Sequence, residues 1–131
     1  MTDDEFLRTL EAGTLPEDRF HHADHVHAAW LYLKRFPARE AMWRFSEALR
    51  NYAAAKGKPE RYHETITWAH LHLLHERLWM TPDAATWAEF AARNADLLDS
   101  KESILRRYYR AETLASEPAR RMFLMPDLVE Y

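Results

Sequence analysis

Cysteine is absent from this chain, which removes disulfides, iron–sulfur clusters and thiol nucleophiles and leaves His, Asp, Glu or backbone oxygen to hold any metal. Only two glycines occur, Gly13 and Gly57, so folds that need many tight turns, such as a β-sandwich or a Rossmann fold, are disfavoured. No apolar run approaches the length of a transmembrane helix. The acidic start, MTDDEFLRTLEAG, has no stretch of signal-peptide length, and a cytoplasmic location is expected. A strong excess of one sign of charge is missing too. The 18 basic and 21 acidic residues are interspersed and leave a formal net charge of -3, which argues against a nucleic-acid or membrane partner. The one basic knot, Arg106 and Arg107 followed by Tyr108 and Tyr109, reads as a solvated helix face.

What remains is an ordinary globular composition, 47% hydrophobic and 13% aromatic, on a chain of 131 residues that suits one domain. Helical signals run from end to end. Thr2 with Asp3, Asp4 and Glu5 is a capped acidic first turn closed by Gly13. A second helix carries HVHAAWLYLKRF to Pro37, and a third spans residues 37–57. The fourth, RYHETITWAHLHLLHERLWM, stops at Thr81-Pro82-Asp83. A fifth is expected over 84–98, a sixth over 101–109 and a short last one after Ser116-Glu117-Pro118. No strand-like alternation persists, so the expected fold is all-α, a single-domain antiparallel bundle of about five to seven helices.

Four histidines lie between Phe20 and His27, and a helical wheel decides which face inward. His22 falls four residues before Val26 and His25 four before Ala29, so both share the apolar stripe, while His27 lies opposite with Leu31. On the fourth helix His63, Thr67 and His70 share the stripe of Ile66, Leu74 and Leu78, whereas His72 and His75 point away. Buried imidazole is costly unless its nitrogens are bonded, and a mononuclear metal would satisfy several at once. The expected ligands are His22, His25 and His63, with His70 a turn deeper, and Tyr62, Glu64 and Thr67 are candidates for proton transfer or for orienting a bound oxygen. The plainer alternative is that each histidine is a satisfied core residue or a cap. Trp30, Trp43, Trp68, Trp79 and Trp87 recur at helical spacing and read as core, and Arg77 as a salt bridge to a carboxylate on a neighbouring helix.

Three segments together, FHHADHVHAAWLYL, GKPERYHETITWA and LASEPARRMFLMPDL, resemble a family of small uncharacterised bacterial helical proteins with F-x-H-x-x-H-V and Y-H-x-T-I-T motifs. The resemblance spans Phe20 to Leu128 and places the motif on His22, His25, His63, Thr65 and Thr67, leaving His70 outside it. It implies a helical domain and no particular reaction.

The leading expectation is a small metal-dependent enzyme acting on a small organic molecule, with copper, iron or zinc at a His-rich site; oxidoreductase chemistry ranks above a zinc hydrolase or lyase. The alternatives are a non-catalytic module that binds haem or another small ligand, and a helical interaction domain whose histidines are structural. A homodimer is compatible with each, since Leu31 and Trp68 read as exposed.

Overall fold

The computed structural model describes residues 1–128. Among them are seven α-helices and no strand. The helices are α1 (Asp3–Ala12), α2 (His22–Arg35), α3 (Ala38–Ala55), α4 (Glu64–Met80), α5 (Trp87–Arg93), α6 (Ala111–Leu114) and α7 (Glu117–Arg121). No helix is long and apolar enough to cross a membrane among the described residues.

The helix starts follow local chemistry. Thr2 Oγ1 accepts the Glu5 amide at 3.1 Å and Glu5 returns the favour to the Thr2 amide, a reciprocal cap on α1. Gly13 ends that helix at φ +74°, and a Cβ there would stand 2.6 Å from the Ala55 Cβ, so the crossing of α1 with the end of α3 requires glycine. At the start of α2 the Asp24 carboxylate accepts the His21 amide at 2.9 Å.

Two expected helices are shorter than their patterns. The fifth breaks at Asn94, which is buried and donates through Nδ2 to the Phe90 carbonyl at 3.0 Å, taking an acceptor that a continuing helix would use. The chain goes on as a 3-10 turn over Ala95–Leu98. The sixth shrinks to a 3-10 turn over Ile104–Arg107: Asp99 first takes the Lys101 and Glu102 amides, and the Ser103 hydroxyl then accepts the Leu105 amide at 3.2 Å, so the turn starts only at Ile104.

Helix α2 is the hub, packed against α1, α3, α4 and the 95–98 turn. Contact on several sides overturns the expectation for Leu31, which is buried, and for His27, whose ring stacks on Trp87 at 4.7 Å and tilts onto Phe6. The all-tryptophan core is corrected as well. Trp30 is buried and Trp68 and Trp87 are half-buried, whereas Trp43 and Trp79 are 61% and 85% exposed. Tyr32, Leu10, Leu15, Leu71, Phe90, Leu105 and Tyr109 fill the centre, and truncating such a Leu to Ala costs about 2–5 kcal/mol. Tyr109 is buried and donates to the Leu124 carbonyl at 2.7 Å, so the tyrosine end of the basic knot belongs to the core and not to a solvated helix face.

Candidate functional site

Three imidazoles line one cleft. His22, at the first turn of α2, has Nε2 2.9 Å from the Leu97 carbonyl. A carbonyl only accepts, so Nε2 carries a proton and donates it. One turn on, His25 stacks on Phe20 with centroids 3.9 Å apart. Burial, then the neighbouring His22, push its pKa down to about 4, against a bond to the Phe20 backbone. From α4 comes His70, whose ring meets His22 edge-on at 5.3 Å. Its pKa is likewise down to about 4, by burial first and then by His22 and His25. Both His25 and His70 are therefore neutral at pH 7.

Among the described residues two buried side-chain nitrogens have no hydrogen-bond partner, Trp30 Nε1 and His70 Nε2. The first lies among the Trp87 and Phe90 rings. His70 lines a cleft of about 210 Å³ walled by Val26, Phe45, Leu49, Ile66 and Leu74, with Asp99, Ser100 and Ser103 on its loop side.

His63 belongs elsewhere, which corrects the expected ligand set. It is the N-cap of α4: Nδ1 accepts the Ile66 amide at 3.0 Å, and Nε2 donates to the Leu114 carbonyl at 2.7 Å. With both nitrogens engaged it has no lone pair to offer a metal without breaking one of these bonds. Two residues on, Thr65 is fully buried, donates to the Met122 carbonyl at 2.7 Å and accepts the Leu124 amide at 3.0 Å. The middle motif thus latches the end of α6 and the segment after α7 onto α4, and two of the three segments quoted together above touch in space.

The expected proton carriers are also not gathered at the imidazoles. Tyr62 donates to Glu64 Oε1 at 2.5 Å, and the Trp68 indole donates to the same oxygen at 3.1 Å. Burial and then the Glu64 bond raise the Tyr62 pKa, so the phenol keeps its proton. Thr67 alone of the three lines the imidazole cleft. Arg77 does as its position implies, gripping both Asp96 oxygens at 2.9 and 2.8 Å and reaching Asn94 at 3.1 Å.

A second cavity of about 270 Å³ lies across a wall made by His25, Leu49, Ile66 and Thr67, which line both. Phe20, Tyr52 and Tyr62 form its aromatic side, and Lys56, Lys58, Arg61 and Glu17 its charged side. Neither this cavity nor the Leu97 contact was expected from the pattern of apolar residues, although the run KGKPER carries the basic signal.

Among the described residues no group of three or more His, Cys, Asp or Glu is placed to hold a metal ion. No family model matches the chain, and no curated protein or solved structure matches it either.

Proposed function

We propose that the protein is a small-molecule binding module whose ligand enters the His22, His25 and His70 cleft and donates a hydrogen bond to an imidazole. One observation carries this reading: His70 Nε2 is buried without a partner in a residue that lines the cleft. Leaving such an atom unpaired costs about 1–3 kcal/mol, which a ligand N–H or O–H recovers. The rest of the lining is largely apolar, the pattern of a site for a small organic molecule. At about 210 Å³ the cleft is below the roughly 300–1,000 Å³ of drug-sized sites, so the ligand is a compact molecule and a porphyrin does not fit.

Binding ranks above catalysis for a reason of magnitude. A general base works best with a pKa near the operating pH, and His25 and His70, at about 4, are weak bases at pH 7. A transition metal, copper, iron or zinc, is the second reading, favoured by the 5.3 Å approach of the His22 and His70 rings and by neutral imidazoles beside them. Two imidazoles are fewer than the three protein ligands usual at a catalytic zinc, so remaining ligands would come from His25 after it leaves Phe20, or from the bound molecule.

The test combines elemental analysis of untagged protein with titration of ¹⁵N-histidine-labelled protein by phenol, a compact apolar molecule with one donor. Saturable shifts at His70 that vanish in a His70→Phe variant support the binding reading. One equivalent of copper, iron or zinc selects the metal. Neither metal nor any shift at the three imidazoles returns them to a structural role.

A further inference from the structure

We propose that the second cavity binds an organic acid, with its carboxylate on the Lys56, Lys58 and Arg61 rim and its apolar body against Phe20, Tyr52 and Tyr62. This goes beyond the imidazole cleft and stands on separate observations. The polar tips of the aromatic wall are already in use. Tyr52 donates to the Leu15 carbonyl at 2.8 Å, Tyr62 to Glu64, and both nitrogens of His63 are bonded. What these rings offer a ligand is therefore apolar ring surface, although His25 already stacks on one face of Phe20 and the Arg50 guanidinium lies 4.8 Å from the centroid of the Tyr62 ring.

The rim has cations in excess. Lys58 Nζ at 2.9 Å and Arg61 at 3.3 Å share the same Glu17 oxygen, so one carboxylate serves two cations. Lys56 makes no ion pair among the described residues; its ammonium sits 5.4 Å from the centroid of the Tyr52 ring, one of the walls. Three positive charges and one negative line this cavity on a chain whose formal charge is -3. A local sign opposite to that of the whole molecule attracts an anion to the mouth. An alcohol or amide of the same shape would gain the aromatic contact and leave the excess charge uncompensated. The acid is thus distinguished from its neutral isostere by charge alone.

The experiment is calorimetric titration of the full chain at low salt with benzoate and with benzyl alcohol, repeated on a Lys56→Ala/Arg61→Ala variant and on a Lys56→Gln variant, with circular dichroism confirming the fold of each. Benzoate is expected to bind at least about tenfold tighter than benzyl alcohol, with that preference lost in the double variant and reduced in the single one. Equal affinities for the two probes overturn the proposal. So does a preference for benzoate that survives the double substitution, since the carboxylate then lies elsewhere. The His70→Phe variant leaves benzoate binding unchanged, which separates this outcome from that of the phenol titration.

Discussion

Histidine does two different jobs two turns apart on one helix. At the start of α4, His63 has each nitrogen bonded, one to its own helix and one to Leu114, and Thr65 beside it holds Met122 and Leu124. Two turns along the same helix, His70 is half-buried, with its Nε2 buried and unbonded, and its ring meets that of His22 at 5.3 Å. The first set stabilises the fold, because its donors and acceptors are matched. The second is held by the fold at a cost, because one of its buried polar atoms, His70 Nε2, is not. Residue type and inward direction are the same in both, so only the partner inventory separates a latch from a binding site.

Acid should show the difference most strongly. His25 and His70 have folded pKa values of about 4 against an ordinary value of 6.5. Between those values the unfolded chain holds protons that the folded chain does not, so stability falls as pH drops from 6.5 to 4. Each imidazole contributes up to about 3 kcal/mol to that fall, and less than the sum for the two because they interact. Urea unfolding at pH 7 and at pH 4.5 measures it, and a His25→Phe/His70→Leu variant should have a clearly shallower pH dependence. An unchanged slope would mean that these rings are already solvated.

Breaking the latch comes next. Thr65→Val keeps the shape of the side chain and removes two hydrogen bonds, leaving a carbonyl and an amide of the 122–124 segment unmatched, at a cost of about 2–3 kcal/mol. Amide exchange should report the loss first at Leu124 and Tyr109, whose hydroxyl donates to Leu124. Within the latch, His63→Asn should be milder than His63→Leu by about 1 kcal/mol, since Asn can still cap α4 but not reach Leu114. Melting temperatures of the pair decide it.

Much of this was legible beforehand. Helix α2 begins at His22, which is what the wheel required for His22 and His25 to share a face, and Arg77 found its carboxylate. The miss at His63 has a definite cause. A wheel gives direction and says nothing of where a helix starts; as an N-cap, His63 turns its Nδ1 back to Ile66, and a partner 51 residues away takes the other nitrogen. Thr65 was hidden in the same way, since a hydroxyl on an inner face looks like an ordinary polar interruption until the distant segment is placed on it. His70 lay outside the motif segments and is the ring that the cleft leaves without a partner. Trp43 and Trp79 misled because periodicity does not reveal which side of an outer helix has a neighbour.

The most direct test compares two single variants, His63→Leu and His70→Leu, by urea unfolding at pH 7 without added ligand. His63→Leu is expected to lose about 2 kcal/mol, because it strips the α4 cap and orphans the Leu114 carbonyl. His70→Leu is expected to be neutral or to gain up to about 1 kcal/mol, because it replaces an unpaired buried nitrogen with carbon. A loss at His70 as large as that at His63 would show that both imidazoles serve the fold, and the distinction between latch and binding cleft would fall.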